Sequence, residues 1–288
     1  MNFCEKLSAG KFIVTSEIGP PKGTDVKGIL DDALLIKARV DAVNVTDLQS
    51  SVMRAGSLSI CHLLKDMGIE PIFQMTCRDR NRLALQSDLL SASILGIENV
   101  LILTGDYPTL GDHPEAKPVF DLGSVQLLEV LKGMQEGKDM KGNPLQGSPH
   151  FCVGAVVNPG ADPLEPEVIK MEQKIASGAR FFQTQAVYDI EIFRKFITAT
   201  AHLKVPVLAG IVLLKSAGMA RFMNKNVSGV FVPDELIREM ESAKDRTATS
   251  VDIAARLIRG LKPLCQGIHI MPIGWNKKMP LVLDAAGL

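Results

Sequence analysis

Two carboxylates stand where hydrophobic runs end. In TSEIGPP (residues 15–21) Glu17 closes a β-branched stretch and is followed by Pro20 and Pro21. Those prolines preclude an ordinary helix start and stiffen the loop. In LILTGDYP (residues 101–108) Asp106 follows an apolar run through Thr104 and Gly105. A charge that ends a buried run points to a site at the strand end and not to a core. Each has a plainer alternative: Asp106 could cap a helix, and Glu17 could seal a salt bridge.

Neutral polar residues fall at similar places. Thr46 and Asp47 follow VNV, Gln74 and Thr76 lie in IFQMT, Asn158 follows AVV, and Gln183 and Gln185 lie in FFQTQ. Residues two apart on a strand share a side, so the two glutamines serve either a hydrogen-bonded ligand or a structural polar network. Lys174, in KMEQKIASG, reads by itself as a solvated helix lysine. His269 alternates with Ile268 and Ile270 and reads as a satisfied inward histidine, not a metal ligand. The chain has no H-E-x-x-H, Walker A or G-x-G-x-x-G motif, and no metal is expected.

What must position these residues is a set of eight short strand-like runs: 11–18, 41–46, 70–76, 99–104, 150–157, 179–185, 205–212 and 267–273. Between them apolar residues recur at three-to-four spacing, as in DVKGILDDALLIKAR and NRLALQSDLLSASILG. Strands alternating with helices pair in parallel, and eight such units predict a closed (β/α)8 barrel, the TIM barrel, as one domain over 1–288. Thr24 or Asp25, and Asp162, are expected N-caps; Gly96 and Gly178 are expected just past helix ends. The turn-rich stretch 137–150 predicts an excursion, a small hairpin, before strand five. In such a barrel the strand ends share one rim, and the polar residues above converge there.

Composition bounds the function. The 288 residues carry 32 basic and 32 acidic side chains, with 46% hydrophobic content. A balanced chain without a basic stripe is not expected to bind nucleic acid. The five cysteines are scattered, with no C-x-x-C pair, and read as reduced thiols. No secretory leader and no run of eighteen uncharged apolar residues is evident, so a cytoplasmic protein without a membrane partner is expected.

TSEIGPP, QMTC, LTGDYP and FFQTQAVYD, in this order on a predicted barrel, resemble the methylenetetrahydrofolate reductase family, from about Phe12 through GIHIMPIGWN. The resemblance implies a flavin-dependent reduction of 5,10-methylenetetrahydrofolate to 5-methyltetrahydrofolate. Glu17 would protonate the folate N10 so that the ring opens to a 5-iminium cation, and reduced flavin would deliver hydride. Asp106 would stabilise that cation. Thr46, Gln74, Thr104, Gly105, Asp106 and Lys174 would contact the flavin, with Lys174 near its phosphate. Gln183, Gln185 and Phe222 would contact folate or nicotinamide. The implied flavin is FAD, with FMN the alternative, because this chain departs from the family's usual residues at Ser16, Ile18 and Gly19 around the acid, at Thr104 where an arginine is usual, at Lys170 and Gln173 near the flavin tail, and at Val156 where a tyrosine is common. The electron donor would be NADH, NADPH or an iron–sulfur partner subunit, since the chain has no cysteine cluster of its own. A homo- or hetero-oligomer is expected. Two other readings stand beside this one: a pterin methyltransferase barrel without flavin, and a noncatalytic folate- or flavin-binding subunit.

Overall fold

The computed structural model describes residues 1–288. Eight parallel strands close into one barrel in sequence order: β1 (Ile13–Ile18), β2 (Ala42–Val45), β3 (Pro71–Thr76), β4 (Asn99–Leu103), β5 (Cys152–Val157), β6 (Phe181–Ala186), β7 (Val207–Val212) and β8 (Gly267–Met271). The expected runs differ from these only at their ends, by one or two residues. β1 closes the barrel against β8, with Thr15 opposite His269.

Side chains alternate across each strand, so every second residue enters the barrel. A lower interior layer is apolar: Ile13, Ala42, Ile72, Leu101, Phe181 and Leu208 pack together there. Phe3, on the short helix Phe3–Ser8, closes this end and meets Phe181 edge-on, with ring centroids 5.2 Å apart. Room for the Phe181 ring comes from Gly154, where an added Cβ would fall 2.3 Å from it. Burying a side chain of this size contributes about 1.5–3 kcal/mol. The outer faces of the strands instead meet the helices in a larger apolar cluster that includes Val14, Ile18, Phe182 and Ile268.

Two residues higher the interior turns polar on β1, β2, β3, β6 and β8, while Leu103 on β4 stays apolar and β5 and β7 carry glycines. Two residues further the strands reach the rim. This pattern puts Thr15, Asn44, Gln183 and His269 in a middle layer and Glu17, Thr46, Thr76 and Gln185 above it.

Helix ends follow the expected chemistry in part. Gly96 and Gly178 have φ of 73° and 108° just past the helices Arg82–Ile94 and Glu165–Ala176. The N-cap of the helix Lys27–Ile36 is Val26, without a side-chain cap, and not Thr24 or Asp25; the Asp25 carboxylate, one residue earlier, accepts from the Lys27 amide. Asp162 is not an N-cap: it precedes a cis bond to Pro163, and the next helix starts at Glu165 without a side-chain cap. Pro163 turns the chain before helical geometry sets in. The excursion before β5 narrows to one antiparallel bridge, Lys138 with Pro144, around a turn organised by Asp139.

Candidate active site

The rim encloses a cavity of about 370 Å³ at the C-terminal ends of the strands. Glu17, Thr46, Gln74, Thr104, Gly105, Asp106, Gln183 and Gln185 all line it. Both carboxylates singled out in the sequence therefore open into one space, as barrel geometry requires.

Glu17 is 8% exposed and held from two sides by amides. Gln49 donates to its Oε1 at 3.1 Å and Gln74 to its Oε2 at 3.3 Å. His269 Nε2 lies 3.7 Å from Oε2, while its Nδ1 is 3.0 Å from the Thr15 hydroxyl. The inward histidine is thus satisfied, and it also faces the acid.

Beneath Glu17, Gln183 and Asn44 exchange two hydrogen bonds, of 2.7 and 3.0 Å, and Gln183 Nε2 reaches Thr15 at 3.4 Å. Both ends of the Gln183 amide are taken, so this residue belongs to the floor of the cavity. Gln185 differs. It is exposed, and the pairing of β6 with β7 shifts register between Gln183 and Ala186. A strand rise of about 3.3 Å per residue lifts its amide towards the mouth, free to meet a ligand.

Asp106 is exposed on the rim, and no side chain pairs with its carboxylate. Its backbone is fixed instead. The carbonyl oxygen accepts from Ser51 Oγ at 3.0 Å and from Arg78 Nη1 at 3.2 Å. Arg78 is 2% exposed and also donates to Ser51 Oγ, to the Leu48 carbonyl and to the Asp79 carboxylate. One guanidinium thereby ties the loop after β2 to the loop after β4. The first of these loops is strained, with positive φ at Leu48, Ser50 and Ser51. Gly111 packs so close to it that a Cβ would lie 1.9 Å from the Ser51 carbonyl oxygen. Lys22 pairs with Asp112, which also accepts from the Met53 amide at 2.9 Å. The Lys22 ammonium, together with His113 and the Met53 amide, pulls the Asp112 carboxyl far below the usual carboxylate range.

Asp47 also lines the cavity, with its carboxylate already engaged by protein donors. Its side chain is fully buried and accepts from the Thr76 amide and hydroxyl, both at 2.9 Å, and from Arg80 at 2.7 and 3.1 Å. Thr46 has the opposite character: its hydroxyl is buried and has no partner in the protein. Such a group costs about 1–3 kcal/mol unless a ligand satisfies it. Gly105, with φ of 91°, packs tightly against Thr76 and Arg78, where an added Cβ would lie 3.1 Å from each. The orphaned Thr46 hydroxyl and the free Gln185 amide fit a hydrogen-bonding ligand.

Two residues of the expected site lie apart. Lys174 is buried in the seam between its helix and the sheet, where Nζ donates to the Val156 carbonyl at 2.7 Å; it is not part of the cavity lining. Burial there holds its ammonium below the usual lysine range. Phe222 is 61% exposed on the helix Ala217–Asn226 and also lies outside the lining. Arg78, Gln49 and the pairing of Asp47 with Arg80 were not anticipated. The charged run CRDRNR directly after β3 was the available signal, because cations at a strand end reach the rim.

Fold and site together define a (β/α)8 barrel whose rim carries a buried carboxyl group, a free carboxylate and unpartnered polar groups. The family profile for methylenetetrahydrofolate reductase matches residues 2–287. This chain belongs to that family. It is 25% identical to methylenetetrahydrofolate reductase 2 of Schizosaccharomyces pombe, over 100% of this chain and 47% of the yeast protein. It is 27% identical to 5,10-methylenetetrahydrofolate reductase of Pectobacterium carotovorum, over 65% of this chain and 58% of that one. The chain spans about half the length of the fission and budding yeast relatives it matches. Among solved structures, a Clostridium thermocellum protein described as binding two copies of 5-methyl-5,6,7,8-tetrahydrofolic acid superposes with a TM-score of 0.64 at 18% identity. That superposition covers 98% of this chain and 96% of the other.

Proposed function

We propose that this chain catalyses the flavin-dependent reduction of 5,10-methylenetetrahydrofolate to 5-methyltetrahydrofolate. The observation that carries the reading is the placement of Glu17 and Asp106 in one cavity, the first buried and held by two amides, the second unpaired at its mouth. Family membership and the folate-binding neighbour support the substrate class.

In this reading Thr46, Gln74, Thr104, Gly105 and Asp106 hold the flavin, which supplies hydride when bound. Thr46 would gain the partner it lacks. Glu17 holds a proton and donates it to the folate N10. Gln49 and Gln74 orient the carboxyl group while it does so, and His269, 3.7 Å away, is placed to return a proton afterwards. Asp106, with nothing to neutralise it, stabilises the cationic folate formed when the ring opens. Gln185 binds the pterin edge, and Gln183 keeps the floor rigid below it. FAD is the flavin we assign. Electrons reach it from NADH or NADPH, or from an iron–sulfur partner subunit.

The test begins with the absorption spectrum of the purified protein and proceeds to anaerobic turnover of 5,10-methylenetetrahydrofolate with a chemical donor. Yellow protein that yields 5-methyltetrahydrofolate supports the proposal. Protein that cannot be loaded with flavin returns the methyltransferase reading, and stoichiometric flavin without turnover returns the binding-subunit reading.

A further inference from the structure

A second cavity, of about 790 Å³, opens at the opposite pole of the barrel, below the apolar layer. Its volume exceeds that of the rim cavity, yet it contains no acid–base pair. It contains sulfur instead. Cys4, on the helix that closes the barrel, and Cys152, the first residue of β5, both line it, as do Cys265, Arg180 and Lys204. Arg180 Nη1 lies 4.0 Å from Cys4 Sγ, and Cys4 packs against the apolar layer to which Cys152 belongs. Cys4 is partly exposed to the cavity, whereas Cys152 is buried behind it at 4% exposure.

We propose that Cys4 and Cys152 form an oxidisable thiol pair, in which Cys4 attacks a small hydroperoxide and Cys152 resolves the product to an intramolecular disulfide. Nothing in this depends on the folate reading. The thiolate, not the thiol, is the nucleophile, and neighbouring donors and cations favour it. At Cys4 the Cys152 thiol and Arg180 favour the thiolate, while burial and Glu5 oppose it; the net effect lowers its pKa to about 6. Cys152 keeps its proton, because the adjacent Cys4 sulfur, burial and Glu70 all disfavour a second thiolate, although Arg180 opposes them. The two sulfurs therefore have unequal roles set by their surroundings.

The chemistry balances without a metal. The Cys4 thiolate attacks one peroxide oxygen, the O–O bond breaks, and the alkoxide or hydroxide leaves with a proton from solvent. Cys4 is then a sulfenic acid, oxidised by two electrons. Cys152 attacks that sulfur, gives up its own proton, and water departs. Two thiols and one hydroperoxide become one disulfide, one water and one alcohol, or a second water when hydrogen peroxide is used.

Cys265 supplies the internal control, since it faces the same cavity but donates to the Leu261 and Gly267 carbonyls, and its pKa is raised chiefly by burial. The intact reduced protein is treated with hydrogen peroxide, quenched by alkylation, digested and mapped by mass spectrometry. A crosslink between the peptides containing Cys4 and Cys152, reversible by dithiothreitol, is expected. In Cys152→Ser the Cys4 sulfenic acid should accumulate and be captured by dimedone. Without peroxide, iodoacetamide at neutral pH should label Cys4 about tenfold or more faster than Cys265, with a rate midpoint near pH 6 that rises in Arg180→Met. Equal labelling of Cys4 and Cys265, or a disulfide joining Cys4 to Cys265, overturns the proposal. So does a wild-type protein in which Cys4 and Cys152 both stay reduced while Cys265 oxidises.

Discussion

Arg78 meets Asp106 through the backbone and not through charge. Its Nη1 lies 3.2 Å from the Asp106 carbonyl oxygen, while its ion pair goes to Asp79. The strand-four carboxylate is thus positioned by a cation that leaves its negative charge available. Arg78→Met should release the loop after β4. Removing one partner of a buried ion pair costs about 3–5 kcal/mol, the upper end applying where the remaining charge stays dry. Asp79 is 32% exposed, so a loss of about 3 kcal/mol is expected. Amide exchange should quicken across residues 105–112, and Arg78→Lys should not restore it, because an ammonium cannot span these acceptors. Unchanged exchange in that segment would show that the loop is held by other contacts.

Glu17→Gln separates the two half-reactions. The variant should keep bound flavin and remain reducible by dithionite, yet reoxidise with methylenetetrahydrofolate slower by a factor of about 100 or more, since an amide cannot supply the proton. Stopped-flow absorbance of prereduced protein reads this directly. Reoxidation at the wild-type rate removes Glu17 as the acid.

Asp106→Asn keeps the acid and removes the charge. Its expected signature is weaker folate binding or a more positive flavin potential, with a loss of up to about 3 kcal/mol in transition-state stabilisation, as for one preorganised electrostatic contact. Redox titration and substrate dependence distinguish the two effects. A variant normal in both would show that the free carboxylate is incidental.

At Lys174 two effects oppose each other. Its charged hydrogen bond to Val156 is worth about 1.5–3 kcal/mol, while taking an ammonium out of water costs several. The lowered pKa shows burial prevailing. Lys174→Met should therefore be neutral or stabilising near neutral pH. The folded pKa lies below the unfolded value near 10.5, so between the two the unfolded chain binds more protons and the wild type gains stability as pH rises. The advantage of Lys174→Met should shrink over that alkaline window, as followed by denaturant unfolding, with flavin retention unchanged. A large loss of retention at unaltered stability would return Lys174 to the cofactor phosphate.

The barrel and the convergence of its strand ends were legible because burial on both faces leaves long apolar runs punctuated by helix periodicity. Glu17 and Asp106 stood out for the same reason: each interrupts such a run. Less visible were residues whose partners are distant in sequence. Nothing near Asp47 announces that Arg80 and Thr76 will consume its acceptors, and nothing in FFQTQ tells Gln183 from Gln185. That distinction comes from Asn44, on a strand 139 residues away, and from a register shift against β7. Phe222 is a reading of the resemblance alone; the structure turns it outward on its helix, 61% exposed and outside the cavity lining.

The middle layer joining Asn44, Gln183, Thr15 and His269 has a consequence for how this sequence can change. Asn44→Leu alone would leave Gln183 Oε1 without its donor and Nε2 with Thr15 only, and Gln183→Leu alone would leave both ends of the Asn44 amide unpaired. Each single step costs more than the pair of steps together. Making the barrel apolar at this height is therefore expected to require Asn44 and Gln183 to change together, and His269, between Thr15 and Glu17, would carry any loosening of that layer to the acid above it.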